Sequence, residues 1–161
     1  MMRRLFGVVV LGVAALGAAF VFGMRRKSPA VLGAVRTINR EVFNPRQMKE
    51  AGQPGSWASV IRHRGRRTGH EYETPVVAIE DGDGFVVALP YGDQSDWLKN
   101  VLHSGIAGLV HDGETHPVDK PEVVPISEVD HLFSESDQQA HRIFGVVEAL
   151  RLHRAEIPAA P

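Results

Sequence analysis

The pattern of apolar and polar positions divides the chain into one long apolar run and a region of short runs. Residues 5–24 are twenty positions without a charged or strongly polar side chain. A helix of that length reaches about 30 Å, the thickness of the hydrocarbon core of a bilayer. We therefore predict a transmembrane helix over residues 5–24. A cleaved signal peptide is the alternative, but the basic Arg25-Arg26-Lys27 that ends the run favours an uncleaved anchor.

Residues 25–51 form a basic connector between this helix and a folded domain. Their spacing predicts a short amphipathic helix near residues 31–42, and Phe43-Asn44-Pro45 follows as a helix breaker. From residue 52 onward, short apolar runs alternate with glycine-rich turns, a pattern typical of β-structure. We predict one domain over residues 52–156.

Within this domain the short apolar runs predict antiparallel strands. Five or six are expected, over residues 57–63, 72–79, 85–89, 108–111, 115–118 and 122–126. Pro75 interrupts the second strand and requires a sheet edge or a bulge. Asp81-Gly82-Asp83-Gly84 predicts a hairpin turn, and Asp112-Gly113 predicts another.

Two regions of the domain have helical spacing. Ser95 is a suitable N-cap for a helix over residues 96–104, and Gly105 is placed to end that helix in the left-handed conformation. Residues 128–154 are predicted to be helical, with a break near residues 134–136. The elements together predict an α+β fold, a small β-barrel or roll with flanking helices.

Composition and charge narrow the chemistry. The chain has no cysteine, which excludes disulfides, thiolate metal sites and cysteine nucleophiles. The net charge of −1 hides an asymmetry: residues 25–67 hold eleven basic and two acidic side chains (+9), and residues 68–161 hold five basic and seventeen acidic ones (−12). The basic part is expected to face lipid headgroups or a polyanionic ligand, although chance clustering on a solvated face is the alternative.

Two loops could hold a ligand. Gly65-Arg66-Arg67-Thr68-Gly69 combines two glycines, two guanidinium groups and a hydroxyl, which together could bind an anion. The loop from Tyr91 into the helix that follows Ser95 offers free backbone N–H groups, an aromatic wall at Trp97 and a proton donor at Tyr91. Each loop also has an interpretation without a ligand. The first would be a solvated turn, and the second a capped helix whose tryptophan lies in the core.

Four motifs stand in an order and spacing that resembles the deazaflavin-dependent nitroreductase and quinone reductase family. They are Gly65-Arg66-Arg67-Thr68-Gly69, Thr74-Pro75-Val76-Val77, Leu89-Pro90-Tyr91-Gly92, and Ser95-Asp96-Trp97 with Lys99-Asn100-Val101. The likeness covers roughly half of the chain, from residue 43 to about residue 125, and none of the motifs is specific by itself. It implies a split β-barrel, a flavin-reductase-like roll, that uses coenzyme F420, with FMN as the runner-up cofactor.

The resemblance also implies which residues hold the coenzyme. Arg66, Arg67 and Thr68 would hold its phosphate and glutamate tail. Tyr72, Thr74, Pro75, Val76 and Val77 would run beside the deazaflavin ring, and the pocket would be closed by Ala88, Leu89, Pro90, Tyr91, Asp96, Trp97 and Asn100. The chain departs from the family at the shorter Gly92-Asp93-Gln94-Ser95 and late in the sequence, where its only aromatic residues are Phe133 and Phe144. The substrate therefore cannot be carried over.

The expected function is transfer of a hydride from reduced F420 to a quinone, a nitro compound or another conjugated acceptor, with Tyr91 as the hypothetical proton donor. The enzyme would be a single-pass protein of the cell membrane, and the basic residues after the span place its domain in the cytoplasm. A split barrel that carries a flavin-type cofactor or a lipid without turnover is the alternative. His111 and His116 form the best pair for a metal but lack a third ligand, nucleic acid is not expected as a partner, and a homodimer is left open.

Overall fold

Seven antiparallel strands and five helices make up the part of the chain that the computed structural model describes, residues 16–38 and 48–156. The strands are β1 Ser59–Arg64, β2 Glu71–Val76, β3 Ala78–Asp81, β4 Gly84–Ala88, β5 Ile106–His111, β6 Glu114–Pro125 and β7 Glu148–Arg154. The helices are α1 over residues 16–25, α2 Pro29–Ile38, α3 Asp96–Ser104, α4 Ile126–Val129 and α5 Glu135–Phe144. Two 3₁₀ turns, Gly92–Gln94 and Asp130–Leu132, precede α3 and follow α4.

The strand order shows that the sheet curls into an open barrel. It runs β2-β1-β5-β6-β7-β4-β3, so β2 and β3 are the two edges. In a flat sheet these edges would lie about 29 Å apart, given a strand spacing of about 4.8 Å. Only Val77 separates β2 from β3 along the chain, and such a link spans at most about 7 Å. The sheet must therefore bend until its edges meet at Val77, which is the arrangement of a split barrel and agrees with the predicted α+β class.

Two groups of buried side chains stabilise the two faces of this sheet. The barrel interior holds fully buried Ile61, Phe85 and Leu109, and α3 inserts Leu98 among them. Val86, on the opposite face of β4, packs with Val124, Val129, Phe133 and Ala149 under α4 and α5. Because successive side chains of a strand alternate between faces, β4 contributes to both cores. This explains why its sequence is uniformly apolar.

Most of the strand predictions are confirmed, with changes at their boundaries. Pro75 lies on the edge strand β2, where its missing N–H leaves no gap in a central ladder. The predicted strand over residues 72–79 is two strands, which divide at Val77. The predicted strands over residues 115–118 and 122–126 form one strand, β6, with an irregularity between Asp119 and Glu122 where Lys120 adopts a φ of 48°.

The prediction of a helix over residues 128–154 was wrong for its last part. Gly145 ends α5 with a φ of 67°, and β7 follows between β6 and β4 at the centre of the sheet. Ala149 packs on one face of the sheet while Leu150 and Leu152 pack on the other. A strand that is buried on both faces shows no clean alternation, so its apolar residues also match a helical spacing.

The residues before the barrel are described only in part. No helix within residues 16–38 and 48–156 is long and apolar enough to cross a membrane. Residues 5–15 of the predicted span and Phe43-Asn44-Pro45 lie outside the described residues, and the predicted connector helix begins at Pro29, earlier than expected.

The end of α1 rests on the end of α5. The rings of Phe20 and Phe144 meet edge to face with 6.3 Å between their centroids. The Arg25 guanidinium donates to the carbonyl oxygens of Arg142 at 2.8 Å and Ile143 at 3.3 Å. Both carbonyls belong to the last turn of α5, where helix carbonyls have no partner within the helix.

Candidate functional site

The turn between β1 and β2 is tightly packed and presents three polar side chains. The Gly65 N–H donates to the His70 carbonyl and the Gly69 N–H to the Gly65 carbonyl, both at 2.8 Å. Gly69 has a φ of 70°, which favours glycine. A Cβ at Gly65 would lie 2.7 Å from the Thr68 hydroxyl oxygen and 2.8 Å from the Tyr72 ring. The backbone is thus fixed where Arg66, Arg67 and Thr68 project.

Arg66 braces this turn against α3. Its guanidinium donates to the Asp96 carboxylate at 2.9 Å and to Oδ1 of Asn100 at 2.8 Å, and its backbone N–H also donates to Oδ1 of Asn100 at 3.2 Å. The hydrogen bond from Arg66 lowers the pKa of Asp96. Arg66 is therefore engaged within the protein. Arg67 is exposed, and in the described part of the chain no acidic side chain forms an ion pair with it.

The bonds of Asn100 determine the hydrogen positions of a buried histidine. Since Oδ1 of Asn100 accepts from Arg66, its Nδ2 is the atom that donates to Nδ1 of His63, at 3.2 Å. Nε2 of His63 then carries the hydrogen and donates to the Thr74 hydroxyl, at 3.2 Å. Burial lowers the pKa of His63, consistent with a neutral ring. The hydroxyl hydrogen of Thr74 is left to point away from His63, as a donor beside β2.

Tyr72 completes the wall next to this network. Its ring stacks on His63 with 5.7 Å between centroids, and its hydroxyl lies 3.3 Å from the Thr68 hydroxyl. These side chains border an open cavity of about 610 Å³. His63 was missed from the sequence. The available signal was its position on β1 between exposed Arg62 and Arg64, which turns a polar side chain toward the interior.

A second, mainly apolar cavity of about 310 Å³ adjoins the first. Its walls include Val76, Val77, Leu89, Trp97, Phe133 and Phe144. The two cavities share Pro75, Tyr91, Ser95 and Trp97. They therefore form one groove with an apolar half and a polar half, whose charged side chains are Arg66, Arg67, Glu73 and Asp96.

All the residues that the sequence nominated for the site lie along this groove. The polar half is bordered by Arg66, Arg67, Thr68, Tyr72, Thr74, Asp96 and Asn100, the apolar half by Val76, Val77, Ala88, Leu89 and Pro90, and both halves by Pro75, Tyr91 and Trp97. Their roles toward a coenzyme stay predictions. One local prediction needs correction: Ser95 precedes α3 as expected, but its side chain makes no capping hydrogen bond and is instead buried.

The histidine pair considered for a metal has other partners. Nδ1 of His111 lies 2.7 Å from the Ser59 hydroxyl, and Nδ1 of His116 accepts from the Arg154 guanidinium at 3.0 Å. Both rings pack against Phe85. Within residues 16–38 and 48–156 no group of three potential ligands could hold a metal ion.

Comparisons with known proteins give likenesses of low similarity. No family model and no curated protein matches the chain. An F420-H2 dependent reductase gives a TM-score of 0.44 at 11% identity, over 60% of this chain and 94% of the other. A putative 5-nitroimidazole antibiotic resistance protein from Bacteroides thetaiotaomicron gives 0.43 at 11% identity, over 63% and 75%.

A protein from Clostridium acetobutylicum related to general stress protein 26, of the pyridoxinephosphate oxidase family, gives a TM-score of 0.46 at 10% identity, over 68% of this chain and 80% of the other. Likenesses this weak carry no argument about function. The split barrel rests on the strand order, and the site rests on its own geometry.

Proposed function

We propose that the protein is an oxidoreductase that transfers a hydride from reduced coenzyme F420 to a quinone, a nitro compound or another conjugated acceptor. The observation that carries this proposal is the two-part groove, in which a polar half with the exposed Arg67 joins an apolar half at Pro75, Tyr91 and Trp97. A coenzyme with a planar ring and an anionic tail has the same division. The order of the four sequence motifs supports the same assignment.

The groups that border the groove fit such a coenzyme. In the polar half, exposed Arg67 and the Thr68 hydroxyl are donors for phosphate or carboxylate oxygens. Beside the apolar half, β2 is an edge strand, so one side of its backbone is not paired by another strand of the sheet. The backbone groups near Pro75 and Val77 can therefore meet the polar rim of a ring. Arg66 would support this site through Asp96 and Asn100 and leave the anion to Arg67.

The bound coenzyme would supply the hydride from a ring carbon. The protein's part is to orient donor and acceptor and to exclude water. The Trp97 and Leu89 side chains form apolar walls, and Thr74 offers a hydroxyl hydrogen that its bond with His63 does not use. Tyr91 borders both halves and is one of two candidate proton donors. Retained turnover in Tyr91→Phe would remove that role.

Equilibrium titration of the full chain with F420 and, separately, with FMN tests the coenzyme. Arg67→Ala should weaken F420 binding by about 10-fold or more, the effect of losing a charge-assisted hydrogen bond. Arg64→Ala is the matched control, because Arg64 lies on the same hairpin, is exposed, pairs with Glu71 and does not border the groove.

A deazaflavin without the phosphate and glutamate tail tests binding of the ring separately from binding of the tail. Arg67→Ala should leave its affinity unchanged. If F420 binds equally well to Arg67→Ala, or if FMN binds more tightly than F420, the proposed assignment is wrong. Reoxidation of the reduced coenzyme by menadione, followed by absorbance, tests turnover. Binding without oxidation across several acceptors would favour the alternative of a non-catalytic carrier.

We also propose that residues 5–24 anchor the protein in the cell membrane with the barrel in the cytoplasm. The apolar sequence and the basic residues that follow it support this. The contact between α1 and α5 would hold the anchor near Phe144, which lines the apolar cavity and so favours lipid-soluble acceptors. Protease treatment of intact cells and of inverted membrane vesicles tests the orientation. Cleavage of the barrel in intact cells would contradict it.

A further inference from the structure

A buried histidine–aspartate pair lies on the wall of the apolar cavity. His141 is 9% exposed, and its Nδ1 lies 2.7 Å from Oδ1 of Asp130. Because a carboxylate accepts hydrogen bonds, Nδ1 carries a hydrogen, and Nε2 is the nitrogen that can exchange a proton. His141 is among the residues that border the cavity.

The fold holds this imidazole in one orientation. His141 lies in the last turn of α5, and Asp130 begins the 3₁₀ turn after α4, so their bond joins two separate elements. The Phe133 ring meets the imidazole edge to face with 4.9 Å between centroids. An apolar side chain would pack against Phe133 without the cost of burying a polar ring. The bond to Asp130 occupies Nδ1, which leaves Nε2 as the ring atom that can meet a bound molecule.

We propose that His141, rather than Tyr91, is the general acid that protonates the acceptor after hydride transfer, and that Asp130 is its positioning residue. The proposal rests on the proposed function. With a quinone, a hydride from the reduced deazaflavin adds two electrons and one proton and leaves a hydroquinone monoanion. An oxygen of that anion takes the proton from Nε2 of the His141 imidazolium. The electron pair of the broken N–H bond stays on Nε2. The neutral imidazole then regains a proton from water, while the deazaflavin ends oxidised by two electrons.

The charges around His141 suit this role. Asp130 faces it across the Nδ1 bond, and Asp137, one turn earlier on α5, borders the same cavity. Asp137 accepts a hydrogen bond from the Ser134 hydroxyl at 2.6 Å, which fixes it as part of the start of α5. Two carboxylates therefore lie near His141, which borders a mainly apolar cavity.

Turnover in three variants tests the assignment. In His141→Gln, kcat with menadione should fall by about 100-fold, the usual contribution of a positioned general acid, with F420 affinity unchanged. In Asp130→Asn, whose amide oxygen can still accept from Nδ1, kcat should fall less, and the alkaline side of its pH profile, where a general acid loses its proton, should move. His131→Gln, an exposed histidine beside Asp130, is the control and should match the parent. A parent-like rate and pH profile in His141→Gln would overturn the proposal.

A binding measurement without coenzyme distinguishes failure of this proposal from failure of the proposed function. In the parent, 4-nitrophenolate, used as the anion mimic, should shift the ring NMR signals of His141, and the shift should be absent for His131. If F420 does not bind but this shift appears, the proposed function fails and the place of the acid stands. If F420 binds and turns over but 4-nitrophenolate does not shift the ring NMR signals of His141, the proposal is wrong. This result uses the parent protein, so it holds even if the variants do not fold.

Discussion

Asn100→Asp should reverse the sign of the pH dependence that His63 gives to stability. In the parent, Asn100 donates to Nδ1 of His63, and burial lowers the pKa of that ring. The unfolded chain therefore binds a proton at higher pH than the folded one. The stability from neutral His63 is present above the unfolded pKa, about 6.5, and is lost as the pH falls through the lower folded pKa.

An aspartate at position 100 keeps the two acceptor bonds from Arg66 but cannot donate to His63. With a neutral ring, His63 can pair with the carboxylate in its other tautomer, in which Nδ1 donates and Nε2 accepts from the Thr74 hydroxyl. The variant also buries a charge and places it beside the Asp96 carboxylate at Arg66, so Asn100→Asp should be less stable than the parent at about pH 8. A protonated ring donates from both nitrogens and pairs its charge with the new carboxylate. The folded pKa of His63 then rises. The stability that His63 contributes to the fold is present in acid and is lost as the pH rises through this folded pKa.

Urea denaturation at several pH values and the ring NMR titration of His63 measure this effect. The gap between Asn100→Asp and the parent should narrow by about 1.4 kcal/mol for each unit by which the folded pKa rises. The other seven histidines are common to both proteins, so the difference isolates His63. Adding His63→Gln to the parent and to Asn100→Asp should abolish the pH dependence of the difference in their stability. If Asn100→Asp loses stability in acid as steeply as the parent, the hydrogen positions inferred for Asn100 and His63 are wrong.

Three further predictions concern stability and use the same denaturation assay. Gly84→Ala should cost about 1–3 kcal/mol or more, because its Cβ would collide with the Leu152 carbonyl of the neighbouring strand; a parent-like midpoint would contradict the close approach. Ser134→Ala should cost about 1 kcal/mol of stability, because the Ser134 hydroxyl accepts from the Asp137 N–H at 3.2 Å. Ser95→Ala loses no capping bond, so equal stability losses in the two variants would refute this contrast. Phe85→Ala should cost about 3–5 kcal/mol because the ring is fully buried, and a loss below that range would indicate that the core refills the space.

The sequence predicted the elements that carry strong local signals. The helix that ends at Gly105 and the Asp81-Gly82-Asp83-Gly84 hairpin depend on turn and cap residues that act over a few positions. Pro75 pointed to an edge strand for a similarly local reason. The central strand β7 was missed because its neighbours β6 and β4 are distant in sequence, and burial on both faces removes the alternation that marks a strand.

For the site, the sequence predicted which loops meet but not how their side chains pair. Arg66 and Arg67 are equivalent in the sequence. Only the fold distinguishes them, because α3 brings Asp96 and Asn100 to Arg66 and leaves Arg67 exposed. His63 and His141 were not nominated, since each depends on a partner from another element, Asn100 and Asp130. Such long-range pairs are a property of the tertiary structure.

The place of β7 in the strand order has a consequence for biosynthesis. Among the described strands, the β3–β4 hairpin is hydrogen-bonded to the rest of the sheet only through β7, the last of the seven to be synthesised. A nascent chain that lacks residues 148–154 has two separate pieces of sheet and an unfilled slot between β6 and β4. The barrel can therefore close only after synthesis of β7, and until then the exposed strand edges need protection from aggregation. A chain truncated before Glu148 would be expected to be a substrate for chaperones and proteases, although every residue nominated for the coenzyme would be present.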